Sequence, residues 1–381
     1  MRRGRRDEAL KAWRRITQTR PASAEAWADL AAIYRRWEMS AEALDALGKA
    51  ADLAPKDVAR RRAFAEAAAA MGRFDAAVRA WEQVVELAVA QTTRDEAWTR
   101  VIDLYAARDR MTELRERYRT LWDRDRGSVQ LTRRLGAVLE RLAESDVPEG
   151  AAKVYEEFLK RHPKHPEMMR RLARVYPTRG LSERSIALYR ELTTLDAPNA
   201  RAYLRELVGL YLDLGRAPQA VSAAKRLTAL YPLDASAHAE LARVYEGLAR
   251  YADAAASLKR ALSLRSDDAE LIETLSRVYE ASGDLDALTA LHRRVLRSSS
   301  RADACRESAR RLITLTYGTK DFVALERLLL QHRDRNRRNF AAWQALAEYY
   351  RAAERPVEVL PLYERALDAV PASERAAVLT R

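Results

Sequence analysis

The sequence predicts an all-α solenoid of stacked helical hairpins. Three observations predict it. A frame of apolar residues recurs about every 34 residues along the 381-residue chain. Inside each recurrence, two runs of apolar residues at spacings of three and four mark two helix faces. Gly and Pro number only 12 each, too few turn residues for an all-β chain.

The first complete hairpin begins near Ala24. Trp27, Leu30, Ala31 and Tyr34 share one helix face, and Ala43, Leu47 and Ala50 share the next. Pro55 then ends the second helix. Counting Ala24 as position 1, later hairpins begin near Val58, Asp95, Val129, Pro166, Arg201, Ala235, Ala269, Arg306 and Phe340. Extra residues are expected in turns, as in SDVPEG before Ala151. The sixth copy keeps the frame through Leu204, Leu207, Tyr211, Gly215, Ala220, Leu227 and Pro232. The tenth keeps it through Trp343, Leu346, Ala347, Tyr350, Ala366 and Pro371. The ninth is degenerate, with Leu312, Leu325 and Leu329 holding the register.

This pattern resembles the tetratricopeptide repeat, which reads Trp, Leu-Gly, Tyr, then Ala, Phe, Ala and Pro. The resemblance covers nearly the whole chain. It implies a single right-handed superhelical solenoid whose concave face is lined by the first helix of each pair. Packing explains the signature. Small residues at position 8 (Ala31, Ala65, Ala173, Ala242, Ala347) let the helices of a hairpin approach. Tyr at position 11 (Tyr34, Tyr105, Tyr176, Tyr211, Tyr245, Tyr279, Tyr350) fills the gap to the neighbouring hairpin.

Both ends read as out of phase. Gly4, Ala9, Trp13, Ile16 and Pro21 match the second half of a repeat, residues 4–23. Residues 372–381 begin another first helix. Trp13 is expected to present an unpaired apolar face, as though the chain were a segment of a longer protein.

Little in the sequence suggests chemistry. His162 and His165 lie in an inter-repeat turn without a strong third metal ligand. His292 occupies a packing position. Cys305 is the lone cysteine, so there is no internal disulfide. No phosphate-binding glycine loop, nucleophile elbow or zinc-protease motif occurs. The expectation is a non-enzyme with no cofactor and no metal. No stretch of 18 apolar residues and no secretory leader are present, so cytoplasm is the default compartment, with periplasm the alternative for an exported parent protein.

The net charge is +13, from 68 basic and 55 acidic side chains. The basic run 333–338 reads as a solvated turn at a helix C-terminus, without the interleaved aromatics of a nucleic-acid surface. A denser signal lies in the groove. The resemblance places positions 5 and 9 of each first helix there, one turn apart on one face. In the fourth to ninth repeats these are Arg133/Ala137, Arg170/Arg174, Arg205/Gly209, Ala239/Arg243, Glu273/Arg277 and Arg310/Thr314. Arg is the fork-shaped donor suited to carboxylates and phosphates. The chaperone-type clamp of this family needs Lys and Asn at those positions, and they are absent here. The resulting expectation is a protein-interaction scaffold that binds an acidic, extended segment, with nucleic acid disfavoured as partner. A repeat region of a bacterial secretion or exopolysaccharide-export protein is one alternative, and a docking domain of a larger enzyme is another.

Overall fold

The computed structural model describes residues 11–15, 17–143, 150–299, 301–319 and 322–379. Every regular element among them is helical. The hairpins are α1 (Ala24–Arg36) with α2 (Ser40–Leu53), α3 (Val58–Ala70) with α4 (Phe74–Leu87), and α5 (Gln91–Ala106) with α6 (Met111–Arg124). Then follow α7 (Val129–Ala143) with α8 (Gly150–Arg161), α9 (Pro166–Val175) with α10 (Ser182–Leu195), and α11 (Ala200–Asp213) with α12 (Ala217–Leu230). The series ends with α13 (Ala235–Gly247) and α14 (Tyr251–Leu264), α15 (Ala269–Ser282) and α16 (Leu285–Ser298), α17 (Ala302–Thr319) and α18 (Phe322–Arg335), α19 (Phe340–Ala352) and α20 (Val359–Ala369), and α21 (Ala372–Leu379).

Turn chemistry sets these boundaries. Ser23, Asp57, His165, Asp234, Asp268 and Asn339 precede first helices, and each side chain accepts a hydrogen bond from a backbone N–H of the first turn. Between the helices of eight of these hairpins the chain passes through a left-handed residue. That residue is Gly at 72, 180, 215 and 283, but Glu38, Asp109, Ala249 and Glu354 hold the conformation with φ of 54–59°.

Two starts differ from the sequence frame. Helices α5 and α17 begin at Gln91 and Ala302, four residues ahead of the starts read near 95 and 306. The additional residues of these longer repeats lengthen the first helix instead of its turn. The SDVPEG turn falls largely on residues 144–149, which lie outside the described residues, as do Gly4, Ala9 and Ile16.

The chain divides into two compact units, Met1–Leu188 and Tyr189–Arg381, where the sequence reading is of one continuous solenoid. In the first unit the core runs from Phe74 and Trp81 through Trp98, Tyr118 and Leu135 to Phe158 and Met168. In the second, one cluster joins Leu296, Leu312, Leu329, Trp343, Leu346 and Tyr363. The alanines named for position 8 are all at most 1% exposed, and the seven tyrosines at position 11 are all buried. Trp13 is half-buried against Trp37, ring centroids 5.5 Å apart, and packs on the core of the first hairpin. The unpaired face expected at Trp13 is therefore covered in part.

Candidate functional site: the first-helix faces

The seven arginines expected to face the groove have unequal fates. Four are held by a carboxylate on the adjacent first helix. Arg133 of α7 sends Nε to Glu167 Oε1 of α9 at 2.6 Å and Nη2 to the other oxygen. Its side chain is only 9% exposed. Burial works to raise the Glu167 carboxyl, but hydrogen bonds and charge from Arg133 and Arg171 outweigh it and hold the group below the usual carboxylate range. Arg205 of α11 reaches Glu240 of α13 at 2.5 Å. Arg277 of α15 grips both oxygens of Glu246 of α13, at 2.9 and 3.4 Å. Arg310 of α17 does the same to Glu348 of α19, at 3.1 and 3.2 Å.

The other three candidates differ. Arg170 and Arg174 of α9 are exposed and make no ion pair among the described residues. Arg243 of α13 is 74% exposed, and its nearest carboxylate is Glu240 at 3.8 Å, already engaged by Arg205. Of the seven candidate arginines, Arg133, Arg205, Arg277 and Arg310 are thus paired with a carboxylate. Arg133 is moreover buried, because Glu167 stands one repeat ahead of it and the helices bring the two into register. The signal that could have found these pairs is an acidic residue 34–38 positions after the arginine, or 31 before it.

In the second unit, α11, α13 and α15 line an open groove of about 650 Å³. Its wall carries Arg205, Arg243, Arg265 and Arg277 against Glu240, Glu246, Asp268, Glu270 and Glu273. This stretch is balanced in charge, not basic.

The remaining candidates for chemistry are structural. His165 caps α9, its Nδ1 accepting from Met168 N at 3.4 Å. Phe158 packs against both His162 and His165, with centroids at 4.6 and 5.3 Å. Cys305 is buried, and burial pushes its thiol up. Among the described residues no group of three or more His, Cys, Asp or Glu could hold a metal. No helix among them is long and apolar enough to cross a membrane.

Family profiles described as Tetratricopeptide repeat match residues 135–200 and 205–270, and another of the same description matches residues 24–57. No curated protein matches the chain. Among solved structures, the MamA fragment from residue 41 to its end, from Desulfovibrio magneticus RS-1, is 17% identical, covering 45% of this chain and 94% of that one with a TM-score of 0.35. The yeast Tom70 structure is 15% identical over 100% of this chain and 92% of that one, TM-score 0.35. The C-terminal part of a TPR repeat-containing protein from Cytophaga hutchinsonii is 15% identical over 74% of this chain and 98% of that one, TM-score 0.41. Residues 24–57, 135–200 and 205–270 are thus tetratricopeptide repeats, and the same helical hairpin recurs between and beyond them.

Proposed function

We propose that the chain is a non-catalytic scaffold whose first-helix faces hold extended or helical segments of a partner protein, with carboxylates meeting Arg170 and Arg174 on the first unit and, as a separate contact, Arg243 on the second. One observation carries the reading. Of the seven groove arginines, four are locked to glutamates of neighbouring first helices, Arg170 and Arg174 stand exposed without an ion pair among the described residues, and Arg243 stands exposed with only a long 3.8 Å approach to Glu240. These three guanidiniums are the groups a ligand can engage without first breaking a close, hydrogen-bonded ion pair.

The test uses the full chain and a fluorescent 12-residue peptide of alternating Glu and Ala, followed by anisotropy. Arg170→Glu with Arg174→Glu and Arg243→Glu is expected to weaken binding at least about tenfold, or about 1.4 kcal/mol. Single exposed pairs are worth only about 0–1 kcal/mol, so single substitutions are expected to look silent. The control reverses Arg190, Arg226 and Arg260 on second helices. Equal losses in the control would show diffuse attraction by net charge and no groove site. A benzophenone side chain at Ala239, on the groove wall, is expected to cross-link the peptide.

A further inference from the structure

A second concentration of positive charge lies outside the groove, on second helices. Residues 285–301 and 322–339 hold nine arginines against three carboxylates, a net of +6 in a chain whose total is +13. The first helix paired with α16 shows the opposite balance: α15 has Glu270, Glu273 and Glu280 against Arg277.

The two segments form one surface. Arg335 at the end of α18 donates Nη1 to the Arg297 carbonyl of α16 at 2.6 Å, and His332 donates Nδ1 to the Leu296 carbonyl at 3.1 Å. An open cavity of about 560 Å³ flanks α16 and includes Thr289, Arg294 and Arg297 in its wall. A second, about 660 Å³, includes Arg335, Arg337 and Arg338. Helix C-termini attract cations, and Arg335 answers to that, since it also donates to the Gln331 carbonyl. The side chains of Arg294, Arg297 and Arg338 do not: they are exposed and make no hydrogen bond or ion pair among the described residues.

We propose that the C-terminal ends of α16 and α18 form a second docking surface, for an acidic polypeptide segment of a partner protein. The lining favours a polypeptide over other polyanions. No Trp, Tyr or Phe lines either cavity, so unstacked bases have no platform. No large apolar side chain lines them either, so nothing would anchor in a bilayer. Asp267 and Asp286 share the wall of the first cavity; they repel an unbroken run of phosphates but can accept a peptide N–H or a Lys. Ser298 and Asn339 add neutral hydrogen-bonding groups of the kind a polypeptide backbone uses. This surface is independent of the groove reading.

The experiment separates the two. A benzophenone side chain at Ala290, on the wall of the first cavity, reports this surface, as Ala239 reports the groove. The probe is a 20-residue peptide of mixed Glu, Asp and Ala, with a 20-base-pair RNA duplex and phosphatidylserine vesicles as rival ligands. Arg294→Glu, Arg297→Glu and Arg338→Glu together are expected to weaken peptide binding at least about tenfold and abolish cross-linking at Ala290. Cross-linking at Ala239 is expected to persist. Reversal of Lys225, Arg226 and Arg260 is expected to change cross-linking at Ala290 less than about twofold. Circular dichroism verifies the fold, and if the Glu triple melts early, the Arg→Gln triple replaces it. Unchanged cross-linking in the folded triple overturns the proposal. So does equal loss in the reversal on α12 and α14, or tighter binding of RNA or vesicles than of the peptide.

Discussion

The fourth and eighth hairpins fill the same place in two ways. In the fourth, the Tyr155 ring of α8 lies over Gly136 of α7, so that a Cβ on Gly136 would overlap the Tyr155 hydroxyl. In the eighth, His292 of α16 meets Ser276 of α15, Nε2 to Oγ at 3.3 Å, and its Nδ1 lies 3.1 Å from Ser308 Oγ of α17. Gly136 and Ser276 are both position 8 of their repeats. Their partners lie 19 and 16 residues later. One hairpin closes by volume: no side chain below, a large ring above, with Phe158 and Met168 completely buried beside it. The other closes by hydrogen bonds between buried polar groups. Burial, and then the charge of Arg311, push His292 down to about 4, with Glu307 opposing. The frame thus fixes where two helices touch and leaves the chemistry of the touch open. The second solution couples packing to pH in the acid range, through the buried imidazole.

Breaking the first solution should have the largest effect. Phe158→Ala removes a buried ring and leaves a cavity, and is expected to destabilise the first unit by about 3–5 kcal/mol. Hydrogen exchange of the α8 amides is the direct measurement. A loss below about 1 kcal/mol would mean this core does not depend on filled volume.

The pH dependence of the second unit comes next. His292 stays neutral in the folded chain down to about pH 4, whereas the unfolded chain takes up the proton near 6.5. The unfolded state therefore binds more protons in this window, and stability falls as pH drops from about 6.5 to 4.5. The depressed value corresponds to a loss of up to about 3 kcal/mol. His292→Gln keeps a hydrogen-bonding side chain without this titration. Urea melts at pH 6.5 and 4.5 should show a smaller difference for the variant than for the parent. Equal differences would mean that the contact carries no pH sensitivity.

The smallest effect sharpens the contrast. Gly136→Ala should destabilise by about 1–2 kcal/mol, because overpacking outweighs the helix preference of Ala over Gly. The Tyr155 hydroxyl donates to Glu140, so the ring cannot withdraw without giving up that bond. A more stable variant would show that Tyr155 has room to move and that the close approach is dispensable.

Much of the fold could be read from the chain. Leu30, Ala31 and Tyr34 recur in register because a hairpin has two faces to bury, and local helix geometry fixes which residues share them. Their recurrence locates the core stripes before any contact is known. The same geometry brings positions 5 and 9 to one face, which is why Arg170, Arg174 and Arg243 were legible as candidates.

What became of the arginines was not legible. Whether Arg133 meets solvent or Glu167 depends on how one first helix is offset against the next. An offset of a few ångströms separates an ion pair from a free guanidinium. The arginines on α16 and α18 were hidden for a related reason. Residues 333–338 look like a solvated turn until α16 is laid beside α18 and their charges add. The sequence by itself determined the hairpins, their period and their buried stripes, since these follow from helix geometry and the burial of apolar side chains. Only the tertiary structure decided which charges cancel and which remain, because Coulomb pairing acts between residues more than thirty positions apart and depends on distances that no local pattern encodes.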